Sequence, residues 1–262
     1  VIHPTAIIDK KAELDPSVEV GPYAVIEGEV KIGANTTIGA NAIVSGPIEI
    51  GCNNRIFPGA ALGLEAQDLK YKGAKSWVKI GENNIFREFV TVNRATGEDE
   101  ATIIGNHNLL MAYVHVAHNC IIEDRVVIAN YVGLAGHVHI ESKAVIGGML
   151  GIHQFVRVGT MAMLGGMSRI DRDVPPFMLV EGSPARVRSL NTIALKRNHL
   201  SAEDMAVLKK AFQTLYRSGL TLNGALSALE LLSPNEYLQH LRSFLALSIA
   251  QEGRRGPIPG AK

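Results

Sequence analysis

Aliphatic residues recur at every sixth position along most of the chain. From Ile2 the series runs through Ile8, Leu14, Val20, Ile26, Ile32, Ile38, Val44, Ile50 and Ile56 to Leu62. It returns at Ile80, Phe86 and Val92, and again from Ile104 through Leu110, Val116, Ile122, Ile128, Leu134, Ile140, Ile146, Ile152, Val158 and Leu164 to Ile170. Twenty-six hexads obey one rule, which coincidence does not produce. The residue four further on is small or β-branched, as at Ala6, Ala24, Thr36, Ala42, Val126, Val132 and Ala144. Glycine often follows the aliphatic residue directly, as at Gly21, Gly33, Gly39, Gly51, Gly81, Gly105, Gly147, Gly159 and Gly165, and reads as the residue that permits a corner.

A period of six with two inward positions fits neither a 3.6-residue helix nor a strand alternating by two. It fits a parallel β-helix, in which short strands and bends alternate and coils stack. Three hexads close a coil of 18 residues, and coils lie about 4.8 Å apart, giving a prism roughly 40 Å long. Two segments break the period. Residues 63–79 (GLEAQDLKYKGAKSWVK) are polar and lysine-rich, and residues 93–103 (NRATGEDEATI) are acidic. Both read as loops ejected from the prism, where binding groups tend to sit. The solenoid is expected to stop at DVPPF, since Pro175 and Pro176 lack backbone donors.

Helical signals follow. Ser201 precedes Asp204 at capping spacing, with Met205, Leu208, Phe212 and Leu215 on one face; Gly219 is a stop. Ser233, Pro234 and Glu236 start a second helix carrying Leu238, Leu241 and Leu245. Residues 253–262 read as a loose tail. The expected organisation is therefore mainly β with an α C-terminal part: a β-helix over 1–184 and a small helical domain over 185–262.

Composition sharpens this picture. Of 262 residues 47% are hydrophobic but only 5% aromatic, as a narrow interior requires. A net charge of +1 gives no pull toward nucleic acid. Residues 185–262, however, carry 11 Lys and Arg against 5 Asp and Glu. Cys52 and Cys120 form neither a metal-spaced pair nor a disulfide framework. No stretch resembles a signal peptide or membrane span, so a reducing cytoplasm is expected.

Seven of the nine histidines lie in the repeat, at 3, 107, 115, 118, 137, 139 and 153, and none takes an inward position. His118, Gly136 and Gln154 are each the third residue of a hexad and 18 apart, so they should form one outer column flanked by His137 and His153. Such a strip can be plain hydrated surface, a metal site or a catalytic site. Zinc binds imidazole readily. The γ-class carbonic anhydrases, which share this repeat, use two histidines five apart, whereas this chain has pairs at three (His115/His118) and two (His137/His139). Imidazole can also take a proton from an attacking hydroxyl, and Gly136 offers an unobstructed N–H to the oxyanion that develops. That pairing suits acyl transfer without metal.

The segments DLKY, LLMAYVHVAHNC, LAGHV, IGGMLGIHQF and DVPPF, in this order and spacing, resemble the UDP-N-acetylglucosamine 3-O-acyltransferase family of the hexapeptide-repeat acyltransferases, which opens lipid A synthesis. The resemblance covers nearly the whole chain. It implies a left-handed coil, a homotrimer, acyl carrier protein thioester as co-substrate and no other cofactor. A related N-acyltransferase carries an extra N-terminal domain, and hexads beginning at residue 2 argue against it. The resemblance casts His118 as the base toward the glucosamine 3-hydroxyl and the Gly136 amide as the oxyanion donor. His115, His137, His153 and Gln154 would orient sugar and phosphates. Gln67, Asp68 and Lys70 would reach over sugar and pantetheine, and Asn191 and Arg197, in the first C-terminal helix, would meet the nucleotide. Gly166 would mark the end of the acyl pocket. The basic C-terminal part would receive the acidic carrier protein. Asn119 departs from relatives with Asp after the base; Ile193 and Asn198 depart at nucleotide-facing positions. A coenzyme A-dependent acyltransferase, a zinc-dependent relative of the carbonic anhydrases and a non-catalytic scaffold remain as alternatives.

Overall fold

The computed structural model describes residues 1–250 and 255–261. Short strands stack into three sheets of nine, eight and ten strands, parallel except for the last strand of the third, which form the sides of a β-helix. One face shows the coil length directly: His115 pairs with Gly133, Gly133 with Gly151, and Gly151 with Arg169, 18 residues per step. The spacing lengthens only where the chain leaves the prism. Ala61 pairs with Thr91 and Thr91 with His115, because residues 65–76 and 94–100 loop out between strands.

Both inward positions of the hexad are buried through most of the prism, among them Ile26, Val44, Leu110, Val116, Leu134 and Ile152 with their companions Ala24, Ala42, Val114, Val132 and Val138. Five companions are polar, Thr36, Asn54, Asn84, Asn108 and Ser168, and three of them are asparagines. Asn54, Asn84 and Asn108 are fully buried and stack as a ladder, each side-chain oxygen accepting from the backbone N–H of the next coil at 2.9, 2.9 and 2.7 Å. The side-chain oxygens are tolerated inside because they replace the hydrogen bonds they lose, whereas Asn108 Nδ2 is buried without a partner among the described residues.

The corners differ from expectation. The left-handed backbone falls three residues after the aliphatic position, mostly on residues other than glycine: Tyr113, Asn119, His137 and Phe155 have φ of 63°, 59°, 61° and 65°. Their N–H groups turn onto the preceding coil, so that His137 N donates to His118 O and Phe155 N to Gly136 O, both at 3.1 Å. The glycine after the aliphatic residue is needed for close approach between coils. A Cβ on Gly33 would stand 2.7 Å from the carbonyl carbon of Gly51.

The solenoid also runs past DVPPF. Val174 bridges Val158, and strand Met178–Gly182 pairs in parallel with Met163–Leu164. Pro176 sits at a corner against Gly159, where no ladder bond is needed, so the prolines do not end the stack. Strand Ala185–Leu190 then turns back antiparallel and closes the ten-stranded sheet. Helices α1 (Thr192–Arg197), α2 (Ala202–Tyr216), α3 (Leu222–Leu229) and α4 (Glu236–Ala250) follow. Ser201 caps α2 through Asp204 N, Thr221 caps α3 through Gly224 N, and Asn235 accepts from Leu238 N at the start of α4.

The tail is not loose where it is described. Pro257 bridges Asp173, Gly260 bridges Val187 and Ile258 is buried; residues 253, 254 and 262 of that expectation lie outside the described residues. Helix α4 is fixed to the prism by polar contacts: His240 Nε2 lies 2.7 Å from the buried Glu141, which also accepts from Arg157, and Ser248 donates to Asp173 at 2.6 Å. Among the described residues no helix is long and apolar enough to cross a membrane.

Candidate active site

The third residue of a hexad projects outward just before the corner, so 18-residue coils put residues 118, 136 and 154 in one outer column. Their face borders an open groove of about 900 Å³. Gln67, Asp68 and Lys70 from the first loop line it, with His115, His118, Gly136, His153 and Gln154 from the prism. The floor includes Gly133 and Gly151, where an added Cβ would meet nothing. These two bare positions were not singled out from the sequence, although their 18-residue spacing marks them.

His118 is held from four sides. Its Nδ1 lies 2.9 Å from Asn119 Oδ1, and its Nε2 lies 3.5 Å from Asp68 Oδ2. Its ring covers Gly136 so closely that a Cβ there would stand 2.4 Å from His118 Cε1. His137 meets it edge-on at 5.3 Å and stacks on Phe155 at 4.7 Å. The orientation of the Asn119 amide follows from its neighbours. Thr96 N and Thr96 Oγ1 both donate to Oδ1 at 3.1 Å, whereas the Glu100 carboxylate can only accept and takes Nδ2 at 2.7 Å. The carbonyl end therefore faces His118, whose Nδ1 must donate. In the neutral ring the lone pair is then on Nε2, toward Asp68 and the groove.

Two neighbouring imidazoles, His115 and His137, are biased toward neutrality. Burial lowers the pKa of His115, whose Nδ1 meets Thr91 Oγ1 at 2.7 Å. Burial and then the neighbouring His118 lower that of His137. His153 Nδ1 donates to Gln154 O at 3.1 Å. Among the described residues no group of three His, Cys, Asp or Glu side chains could hold a metal ion. The Gly136 N–H makes no hydrogen bond among the described residues, while its neighbours Ala135 N and His137 N donate to Ile152 O and His118 O.

Three of the singled-out residues stand apart. Asn191 precedes α1 as its N-cap: its side chain accepts from Ala194 N at 3.2 Å and donates to Met161 O at 2.9 Å, so it is already engaged. Arg197 is exposed in the last turn of α1. Gly166 follows the strand Met163–Leu164, on another side of the prism. None of the three lines the groove of its own chain. Sequence reasoning missed Thr96 and Glu100, and no periodic signal points to them, since they lie in an ejected loop.

Comparison with known proteins places this geometry. Residues 173–258 match the family model described as Udp N-acetylglucosamine O-acyltransferase, domain 2, and residues 11–46 and 101–136 match the bacterial transferase hexapeptide repeat. The chain is 71% identical over 206 residues to an acyl-[acyl-carrier-protein]–UDP-N-acetylglucosamine O-acyltransferase of Rippkaea orientalis, spanning 79% of this chain and 75% of that one. It is 44% identical over 254 residues to the protein of that name from a Janthinobacterium species, spanning 95% and 97%. A solved UDP-N-acetylglucosamine O-acyltransferase from Moraxella catarrhalis superposes with a TM-score of 0.92 at 38% identity, covering 98% of this chain and 99% of that one.

Proposed function

The chain belongs to the acyl-[acyl-carrier-protein]–UDP-N-acetylglucosamine O-acyltransferase family, and from that premise we propose that it moves a 3-hydroxyacyl group from carrier-protein thioester to the glucosamine 3-hydroxyl, with His118 as general base. One observation carries the reading. The base has its proton-bearing Nδ1 tied to Asn119 and its Nε2 aimed at the groove beside Asp68. Nε2 takes the proton as the hydroxyl oxygen attacks the thioester carbonyl carbon. The new C–O bond forms, and the carbonyl oxygen becomes an oxyanion received by the unbonded Gly136 N–H. Collapse breaks the C–S bond, and the departing thiolate takes the proton back from the imidazolium.

His115 and His153, with Gln154, supply hydrogen bonds to sugar and phosphates, with His137 bracing the base. Gln67, Asp68 and Lys70 close over the acceptor from above. The working form is a homotrimer in the cytoplasm, in which a neighbouring chain's Arg197 and Gly166 reach this groove. An apolar stripe supports assembly: Phe89, Tyr113 and Tyr131 stack at 5.2 and 4.9 Å along one exposed corner and continue into the exposed Met149 and Met167. Residues 1–184 hold the chemistry, and the basic 185–262 region receives the acidic carrier protein.

The test is incubation with UDP-N-acetylglucosamine and a panel of 3-hydroxyacyl carrier-protein thioesters, with product masses read directly. Product bearing one ester-linked acyl chain is expected, and rising salt should weaken use of the carrier-protein donor. Equal use of coenzyme A thioesters would overturn the donor assignment.

A further inference from the structure

Asn119 leaves the base with a neutral orienting group, and the second ejected loop brings a charge to its far side. We propose that Glu100 is a positioning residue for His118: through the Asn119 amide it fixes the imidazole tautomer and favours the imidazolium that forms during transfer. The inference rests on His118 being the base. Its geometry is a chain of two hydrogen bonds, Glu100 Oε2 to Asn119 Nδ2 at 2.7 Å and Asn119 Oδ1 to His118 Nδ1 at 2.9 Å. Glu100 Oε2 is itself set by Gly97 N at 3.0 Å, and Thr96 holds the amide from the side. Rotating the amide would put Nδ2 against Thr96 N–H and Oδ1 against the Glu100 carboxylate, both repulsive. Loop and corner together thus admit one amide orientation.

The charge acts in addition to the hydrogen bonds. A carboxylate two hydrogen bonds from the ring stabilises the imidazolium by Coulomb attraction, discounted because Glu100 is exposed. Other groups facing His118 are Asp68, on the Nε2 side, and His137, against the ring edge. Asp68 must share its side with substrate, whereas Glu100 stays behind the ring and acts in every state of the cycle.

The experiment compares the parent with Glu100→Gln, which keeps an oxygen for Asn119 Nδ2 and Gly97 N but removes the charge. His118 is titrated by NMR through its Cε1–H signal, identified by its loss in His118→Ala, and kcat/KM is followed against pH. The His118 midpoint should be lower in Glu100→Gln than in the parent, and the acidic limb of kcat/KM should fall with it. The alkaline plateau should stay within about twofold because the hydrogen bonds are kept. A midpoint that does not move, with or without a lower plateau, overturns the proposal. A midpoint that moves while the kinetic limb stays supports the Glu100 link and refutes His118 as base. Should Glu100→Gln fail to fold, Asn119→Asp provides a second measure, since two carboxylates would then face each other. Asn119→Asp should melt lower than Asn119→Asp/Glu100→Gln, and the reverse order overturns the proposal.

Discussion

Replacing Gly136 by alanine separates what the glycine does as a donor from what it does as a space. Alanine keeps the backbone N–H, so the oxyanion contact survives. The φ of Gly136 lies outside the left-handed region, so alanine adds no backbone strain there. The new Cβ, however, would stand 2.4 Å from Cε1, 2.5 Å from Nε2 and 3.0 Å from Nδ1 of His118. Carbon contacts settle near 3.5–4.0 Å, so the ring must lift by about 1 Å or more. Its 2.9 Å bond to Asn119 stretches toward the limit of a hydrogen bond, and Nε2 leaves the line to the acceptor hydroxyl. Misplacement of about 1 Å costs on the order of 10² in rate, and complete loss of a base about 10²–10⁴. Gly136→Ala should therefore lose about 10²–10³ in kcat with smaller change in KM for the nucleotide sugar. Thermal unfolding should hold, since burying a methyl group at an outer corner disturbs no core contact. Steady-state acyl transfer on the double variant His118→Ala/Gly136→Ala completes the assay. Once the ring is gone the alanine has nothing to displace, so the double variant should match His118→Ala alone. Full activity in Gly136→Ala, or further loss in the double variant, would refute the steric account.

His118→Ala should fold and melt like the parent while losing about 10²–10⁴ in turnover, measured by product mass against time. His240 has its pKa raised, chiefly by its hydrogen bond to Glu141. Its contribution to stability is thus full below the ordinary histidine value and lost as pH rises through the raised one. His240→Ala should lower the melting temperature at pH 6 and have less effect at pH 9; an equal loss at both would refute the ion pair. Gly166→Met should be accommodated, because a Cβ there meets only Gly148, nearest at its carbonyl oxygen, 3.1 Å away. It should shift donor preference from about fourteen carbons toward ten, since each buried methylene contributes roughly 0.8 kcal/mol; an unchanged preference would refute the ruler.

The β-helix was legible because its interior repeats. One inward aliphatic residue per hexad, from Ile26 to Ile170, shows through any surface variation. The 18-residue coil then carried His118 onto Gly136 without further information. What escaped was aperiodic or shared between distant segments. The antiparallel return of Ala185–Leu190 and the seating of Ile258 against the prism depend on where the last coil leaves open edges, which no local pattern records. The asparagine ladder was hidden because Asn54, Asn84 and Asn108 take inward positions where a polar residue is tolerated only with its partners in the coils above and below. Glycine misled in a different way. Its conformational freedom suggested the corner, while the structure uses its small size between coils and leaves the corner to residues such as His137.

Position 119 shows how scaffold and site constrain one another. It is a corner residue with φ of 59°, a conformation that the prism also gives to Tyr113, His137 and Phe155, so the corner itself does not fix the residue type. It must also offer an acceptor to His118 Nδ1 across a single residue, which a short side chain with a carbonyl or carboxylate oxygen does. The contact with His118 leaves asparagine and aspartate, which are close in shape and differ in charge. With aspartate the charge would sit against the ring, and Glu100 would face it as a second carboxylate. With asparagine the amide accepts from the ring and donates to Glu100, so the same charge is held one hydrogen bond further away. The contact with His118 thus selects the shape at 119, and the ejected loop selects between acid and amide. In a fold whose coils are nearly interchangeable, the individuality of the site comes from the segments that leave the repeat and fold back over it.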